Sequence, residues 1–468
     1  MQIVNAAGRL DRIPICGWHY KFLGILVAGM IFDIVDLYIL GGVMAKLTQI
    51  GMMTKDQAAT MASANFAGIF LGCVIAGSMI DKYGRKMLYM YNLLIYSIFT
   101  ILCGLVSDIT LLTFFRFLTA FGLGGEMAVG YSLIAEYFPP DKRGRWGVGL
   151  SVLNNLGAPL AYMLGAVVLP LNDWSWRIMF MICGIPAFYA WYLRRNFPES
   201  PRWLEASGRL EEAERVLSGI EAECKKSLGV SELPPVKEII VYQHEKLPPT
   251  SALLKGKTLT TTLYTSFLFV AGFTLVYGLA TWLPMYFLEK GIDVKKSMTY
   301  SMIMLFGGPV GVFLSYNIVE YGRKKAIIGT SIAGAIISFF YAQASSLDMI
   351  LPLGFFTMVC IFAMHCLNQS TYIPELYPTN LRGRGVSLTE GVGRLSTIIA
   401  PYFFVWAMKS GGFQVVLNGI YVLFILVVIA TVLVGRETAN QNLEAVNEGT
   451  LGMAKLDRVG DGKNSATS

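Results

Sequence analysis

An apolar run opens at Phe22 and continues to about Lys46, and eleven more follow it: near 61–81, 87–106, 111–138, 146–170, 176–195, 258–288, 297–319, 326–345, 349–373, 386–409 and 413–435. About 20 helical residues, at ~1.5 Å rise each, cross the roughly 30 Å hydrocarbon core of a bilayer. Lipid offers the backbone no hydrogen-bond partner, so each run is read as a helix that satisfies its own backbone. Apolar residues make up 54% of the chain and charged residues 15%, against the roughly 25% charge of ordinary soluble domains. A soluble enzyme, a disordered chain and a secreted disulfide scaffold are excluded. The expected fold is an all-α membrane protein of twelve transmembrane helices in two pseudo-symmetric six-helix bundles. The first run is too long for a signal-peptide core and lacks a small-residue cleavage site, so it is a retained span.

This divides the chain into an N-terminus (1–21), a first bundle (22–195), a linker (196–257), a second bundle (258–435) and a polar tail expected to be disordered (436–468). In the linker, Leu204, Leu210, Ala213, Val216, Leu217 and Ile220 recur at helical spacing, with Glu211, Glu212, Glu214 and Arg215 on other faces; this predicts a short amphipathic helix under the bundle. Lys82/Arg85/Lys86, Lys142/Arg143/Arg145, Arg323/Lys324/Lys325 and Arg382/Arg384 all fall on the side of the N-terminus, whereas the opposite loops near 107–110, 170–175 and 345–349 hold no Lys or Arg. Lys290, Lys295 and Lys296 are a local exception. The positive-inside rule therefore places both termini and the linker in the cytoplasm.

The net charge of +7 is dispersed in these loop clusters and forms no stripe that could track nucleic-acid phosphates. Seven cysteines include no CxxC, and three histidines lie at scattered positions, so burial is the expected fate of the thiols. No metal site and no cofactor is expected.

The two halves resemble each other at an offset of about 239 residues. Glu136 precedes Arg143-Gly144-Arg145 by seven residues, and Glu375 precedes Arg382-Gly383-Arg384 by seven; Gly84-Arg85-Lys86 returns as Gly322-Arg323-Lys324. Paired six-span repeats are a common architecture of secondary transporters, in which two bundles rock about a midplane site.

Several segments also match known signatures. Gly77–Lys86, reading GSMIDKYGRK, resembles the loop 2–3 signature of the major facilitator superfamily. Pro198-Glu-Ser-Pro-Arg202 and Pro374-Glu-Leu-Tyr-Pro378 resemble its sugar-porter branch, Asp33-Ile-Val-Asp36 the paired aspartates of aromatic-acid:proton symporters, and Gly122–Glu126 bacterial niacin and general metabolite transporters. The resemblance covers about residues 20–435. Span seven, around Ala271–Tyr277, lacks the paired glutamines of sugar porters.

A charge inside a bilayer costs about 2.5–3.5 kcal/mol on insertion scales, so each one in a span calls for a reason. The set is Asp33, Asp36, Arg116, Glu126, Glu390 and Arg394, with His365 beside it. Asp33 and Asp36 share one helix face. Counting residues puts Asp36 roughly 21 Å above the cytoplasmic end of span one and Arg116 roughly 22 Å up span four, so the two can pair. The pair is either a static tie between spans or, as the resemblance to proton-coupled sugar porters implies, the proton-coupling pair. Glu126 is a second protonation site, a substrate contact or a packed hydrogen-bonding group. Glu390 and Arg394, four apart, form a local ion pair, or Arg394 receives a substrate carboxylate. His365, Asn368 and Gln369 make a polar patch expected to face a cavity, with Tyr277 as an aromatic wall. By resemblance, Asp81, Arg85, Glu136, Arg143, Glu199, Arg202, Arg323, Glu375 and Arg382 form a cytoplasmic gate.

The reading that follows is a monomeric, proton-driven importer of a small polar organic solute in a bacterial inner membrane, with protons, the solute and the bilayer as partners and a carboxylate as the favoured solute. A uniporter, an exporter of a sugar, polyol or cation, and a non-transporting sensor are its rivals. An intramembrane enzyme would need a nucleophile–base or metal constellation such as HExxH, which the sequence lacks.

Overall fold

Residues 4–139, 155–194, 198–236, 250–378 and 381–439 are described by the computed structural model, and no strand occurs among them. A short α1 (Ala6–Asp11) leads into α2 (Gly17–Gln49), α3 (Lys55–Tyr83), α4 (Arg85–Leu105) and α5 (Ile109–Tyr137), then α6, described over Asn155–Val168, and α7 (Trp176–Arg194). Two connecting helices follow, α8 (Pro201–Ala206) and α9 (Leu210–Leu228). The second half comprises α10 (Gly256–Glu289), α11 (Val294–Tyr321), α12 (Arg323–Gln343), α13 (Leu347–Glu375), α14 (Arg382–Gly411) and α15 (Phe413–Leu433). Every apolar run coincides with a helix. Among the described residues α3, α4 and α10 to α15 are long and apolar enough to cross a membrane.

Most helices outrun their apolar stretches. The first span begins at Gly17 and ends at Gln49, because intrahelical hydrogen bonds do not stop where the hydrocarbon does. Outward-facing Phe313, Ile399 and Leu433 are 64%, 67% and 77% exposed, an apolar belt of a kind that lipid covers and water would not. Inside the spans, hydroxyls turn back on their own helix: Ser97, Thr100, Thr265, Ser301, Thr357 and Thr389 each donate to the carbonyl four residues earlier. That is how a polar side chain is tolerated where no water reaches.

The internal repeat is visible in the packing. Gly68 and Gly72 of α3 lie against the backbone of Phe117 and Phe121 in α5, where a Cβ would collide with carbonyl oxygens. Gly307 and Gly311 of α11 lie in the same way against Phe355 and Val359 of α13. Both glycines thus recur after 239 positions (68 to 307, 72 to 311). Small residues let membrane helices approach closely, where dispersion replaces the missing hydrophobic drive. Three spans depart from regular α-geometry. The segment Thr274–Leu279 of α10 and Asn368–Tyr372 of α13 are π-helical, and α11 breaks at Phe306, before Gly307-Gly308-Pro309. Proline removes an N–H and clashes with the preceding turn, which accounts for the break.

The end of the bundle bearing Lys82, Arg85, Lys86, Arg323, Lys324 and Arg382, termed the basic face, also carries α1, α8 and α9. The pattern of 204–220, expected as one helix, is divided at Ser207–Arg209: Leu204 belongs to α8, and Ala213, Leu217 and Ile220 are buried on α9. Residues 6–11, treated in the sequence as a plain terminus, form a helix too short for periodicity to reveal. Its first amides, of Asn5 and Ala6, bond to the Glu205 carboxylate at 2.7 and 2.8 Å. Arg9 then reaches Glu221 at 2.9 Å and Arg12 reaches the other oxygen of Glu221 at 2.7 Å. Burial pushes the Glu221 carboxyl up, but the bonds from Arg9 and Arg12 outweigh it and hold the group below its ordinary value of 4.5.

A depressed folded-state pKa contributes stability that is complete above the unfolded value and is lost as the pH falls through the folded one. Docking of α1 on α9 should therefore persist at neutral pH and loosen in acid, below 4.5. Protection of the residue 6–13 amides against hydrogen exchange, corrected for the intrinsic rate at each pH, should fall over that range. In Glu221→Gln exchange should already be fast at neutral pH, and protection equal to wild type in that variant would contradict the assignment.

Candidate functional site

Asp36 lies within α2 and Arg116 near the start of α5, helices that cross the membrane in opposite senses, and their side chains meet. One guanidinium nitrogen of Arg116 donates to Asp36 Oδ1 at 3.0 Å, and the other sits 3.0 Å from Oδ2. The second nitrogen also donates to the Asn65 carbonyl oxygen at 2.9 Å, and the guanidinium carbon lies 5.3 Å from the Phe180 ring centre. All three polar side chains are buried. The contact to Oδ1 is a charge-assisted hydrogen bond and the one to Oδ2 an ion-pair contact, a combination stronger than a neutral hydrogen bond. Removing one partner from such a buried pair leaves an uncompensated charge, at a cost of about 3–5 kcal/mol. Asp33, one turn earlier, and Glu126, on α5, are buried as well. Gly125, next to Glu126, packs on the Asn92 side chain of α4, so the glycine-rich stretch serves helix contact. Asn65 was not singled out in the sequence; its one signal is an amide in an otherwise apolar stretch of α3.

Beside this cluster a cavity of about 810 Å³ lies between the halves. The first half contributes Ile34, Tyr38, Cys73 and Asn155, and the second Tyr277, His365, Gln369, Glu390 and Arg394. Arg394 donates through two nitrogens, at 2.9 and 3.2 Å, to one oxygen of Glu390, and its guanidinium carbon stands 5.3 Å from the Phe273 ring centre. His365 bonds to Gln369, and its ring fits against Gly272, where any side chain would clash. Tyr277 packs between Phe66 and Phe273 at 5.6 and 5.8 Å. It sits in the π-helical segment of α10, and Gln369 in that of α13; such segments re-aim side chains and recur at functional sites. Glu126 and Asn368 are buried without lining this cavity.

The lining runs from mid-helix toward the basic face. At the opposite face the halves are closed on each other: Lys55 pairs with Glu289, Lys409 with Asp56 at 2.7 Å, and the Tyr162 hydroxyl donates to the Ala280 carbonyl at 2.7 Å. Gly41 of α2 presses on the carbonyl of Thr281 in α10. The cavity is one-sided.

On the basic face two carboxylates play matching parts. Glu199 accepts the backbone N–H groups of Arg85 and Lys86 at 3.0 and 3.1 Å, and Glu437 those of Arg323 and Lys324 at 2.8 and 3.4 Å. Each caps the helix that starts after a glycine of the repeat, α4 after Gly84 and α12 after Gly322, where orphan N–H groups and the helix dipole favour an anion. Burial pushes the Glu199 carboxyl up, with the backbone bonds opposing it. Glu437 is less enclosed, and its four backbone N–H bonds, from Ala439, Lys324, Thr438 and Arg323, overcome burial and hold it below the ordinary value. Glu437 belongs to the segment assigned to a disordered tail; its capping contact orders residues up to 439. Arg323 also pairs with Glu375 at 3.4 Å, and Thr438 donates to Glu375 at 2.5 Å. Arg202 pairs with Asp11 of α1 at 2.5 Å, a contact within the docked N-terminus. Arg382 opens α14 on this face. The side chains of Asp81 and Glu136, and Arg143 entirely, lie outside the described residues.

Residues 27–449 match the family described as "Sugar (and other) transporter". The inner membrane metabolite transport protein YdjE of Escherichia coli (strain K12) is 31% identical, covering 96% of this chain and 99% of its own length. The niacin transporter NiaP of Acinetobacter baylyi is also 31% identical, over 95% of this chain and 100% of its own. Among solved structures, a D-xylose-proton symporter superposes with a TM-score of 0.70 at 16% identity, covering 91% of this chain and all of the other. The chain is a multi-pass membrane protein that belongs to the sugar (and other) transporter family of the major facilitator superfamily.

Proposed function

We propose that the protein is a proton-coupled symporter that imports a small organic carboxylate by alternating access across a bacterial inner membrane, acting as a monomer. The basic face and both termini are then cytoplasmic, and the cavity opens inward. The observation that carries this reading is the buried fork of Arg116 on Asp36 at 3.0 Å, set beside a one-sided cavity with Arg394 in its wall. The family is one of transporters, and the relatives named for niacin and for metabolites support a small polar solute. Niacin is itself an aromatic carboxylate. The proton–xylose symporter shares the fold and supports coupling to protons.

The mechanism follows from the groups involved. Arg116 is the counter-ion of Asp36 in this state, and in the proposed cycle Asp36 carries the proton while its partner is drawn away. Asp36 and Gly41 lie on the same helix, about 7.5 Å apart along its axis. Gly41 belongs to the outer seal against Thr281, so opening that seal shifts the helix that carries Asp36. Proton loading is thereby tied to access from outside. In the cavity Arg394 is the cation for the substrate carboxylate, which exchanges with Glu390 for the guanidinium. Tyr277 and Phe273 supply apolar faces for the rest of the solute.

Two outcomes test this in proteoliposomes with an inside-alkaline pH gradient and nicotinate or benzoate as the offered solute. Asp36→Asn should abolish gradient-driven accumulation, at least tenfold, while exchange of internal for external solute persists. Accumulation that survives both a protonophore and this substitution would refute coupling at Asp36. Arg394→Gln should raise the KM for a carboxylate at least tenfold, with Arg394→Lys in between. An unchanged KM would remove Arg394 from the substrate site.

A further inference from the structure

Among the described residues the fold brings Cys224 onto the Cys16-x-x-His19 pair to make one cluster of metal-ligating groups. Cys16, at the start of α2, lies with its Sγ 3.3 Å from His19 Nδ1, and Cys224 of α9 brings its Sγ to within 3.1 Å of Cys16 Sγ. All three ligand atoms fall within 4.8 Å of one another, and all three residues are buried. Cys16 and Cys224 are separated by 208 positions, so the convergence is tertiary.

The histidine is prepared for a ligand's role. Its Nδ1 accepts the Cys16 backbone N–H at 3.3 Å, so the ring proton resides on Nε2. The ring also bonds to the backbone of Tyr137, which Nε2–H can serve by donating to the carbonyl. A metal would take over the one Nδ1 lone pair that now accepts the Cys16 N–H, while the far N–H on a carbonyl holds the ring as it holds metal-binding histidines. Trp18 and Phe138 wall the ring at 5.2 and 5.3 Å. The charged groups nearby are already paired, Glu221 with Arg9 and Arg12, and Lys21 with Glu223, so none of these carboxylates needs the ion as its partner.

We propose that Cys16, His19 and Cys224 form a Zn²⁺ site that fastens α9 to the first turn of the first membrane span. Zinc prefers thiolate and imidazole ligands in tetrahedral array, with Zn–S about 2.3 Å and Zn–N about 2.0–2.1 Å. Those lengths imply S···S about 3.8 Å and S···N about 3.5 Å; the two sulfurs, now 3.1 Å apart, separate by about 0.7 Å, Cys16 Sγ and His19 Nδ1 start 3.3 Å apart, and Cys224 Sγ starts within 4.8 Å of the ring. Binding displaces one proton from each thiol, and the two thiolates cancel the ion's charge. Water takes the fourth position. On the cytoplasmic placement of this face given above, the two thiols stay reduced, which favours metal over a disulfide. The site does not otherwise depend on the transport reading. Its consequence is mechanical: α1, α8 and α9 already hold together through Arg9, Arg12 and Glu205, and zinc ties that assembly to the helix bearing Asp36.

The test uses the full chain in detergent, stripped with chelator and reductant, desalted and titrated with Zn²⁺ against a chromophoric chelator. Wild type should retain one zinc per chain. Cys224→Ala, Cys16→Ser and His19→Gln should each retain at least tenfold less, with melting transitions showing that they remain folded. Cobalt should give wild type a thiolate-to-metal charge-transfer band that Cys224→Ala lacks, and zinc should raise the wild-type melting temperature but not that of the variant. Should the variants fail to fold, the wild-type stoichiometry and cobalt spectrum decide alone. Zinc retention no greater than in the variants, a wild-type cobalt spectrum without thiolate bands, or a Cys16–Cys224 disulfide in protein isolated with thiols blocked would each overturn the proposal. Loss of transport with zinc binding intact would count against the symporter reading and leave this site standing.

Discussion

A hydrocarbon interior gives no hydrogen bond to anything placed in it, and most of this architecture follows from that one constraint. It makes every apolar run helical and turns the hydroxyls of Thr265, Ser301 and Thr389 onto their own backbones. It also drives Asp36, Arg116 and Asn65 into one another's reach. In water an exposed Asp–Arg contact is worth little. Here the alternative is a bare charge, so the same contact organises three helices, α2, α3 and α5. The constraint also bears on function, because a group that must always be paired or neutral carries a proton only when its partner is drawn away.

The duplicated construction recurs at particular backbone contacts and is loose in the side chains. The glycine pairs at 68/72 and 307/311 seat equivalent helices, and the carboxylates Glu199 and Glu437 cap equivalent helix starts. These are the positions where geometry admits one kind of residue, a missing Cβ or an anion against orphan N–H groups. The cavity-side charges do not repeat. Asp36 and Arg116 belong to the first half, and Glu390 and Arg394 to the second. Symmetry of the frame and asymmetry of the lining are what the proposed division of labour, a proton at one half and the solute at the other, requires.

The sequence made the frame legible because lipid writes a long, simple signal: twelve apolar runs, with most charges gathered between them and a few inside. It also made Asp36 and Arg116 legible as partners, since depth along a straight helix can be counted in residues. What it hid is tertiary or short. Residues 6–11 are too few for periodicity, and Glu437 sits in polar sequence that composition alone assigns to a tail. Asn65 carries no charge and so drew no notice, although it takes one of the hydrogen bonds of Arg116. Asn368 looks like its neighbours His365 and Gln369 in sequence, but the π-helical turn at 368–372 changes which side chains reach the cavity. The meeting of Cys16, His19 and Cys224 needs the docking of α9, which no local pattern encodes.

The first membrane helix gathers these threads. Its start holds Cys16 and His19 against α9, its middle carries Asp33 and Asp36, and its far half presses Gly41 on α10. A helix is stiff over such a length, since bending it would break intrahelical hydrogen bonds that lipid cannot replace. Contacts made at its two ends therefore act on the same rigid body. A displacement that opens the seal at Gly41 must be accommodated at the Arg116 fork or at the α9 anchorage. The anchorage is held by the Gly17 N–H on Ser227 Oγ at 2.8 Å, by the Lys21–Glu223 pair and by buried apolar packing, with α9 itself tied to α1 through Arg9, Arg12 and Glu221. The fork is held by a single arginine and one amide. With the base fixed, movement of this helix bears on the contact between Asp36 and Arg116, as the proposed coupling at Asp36 requires.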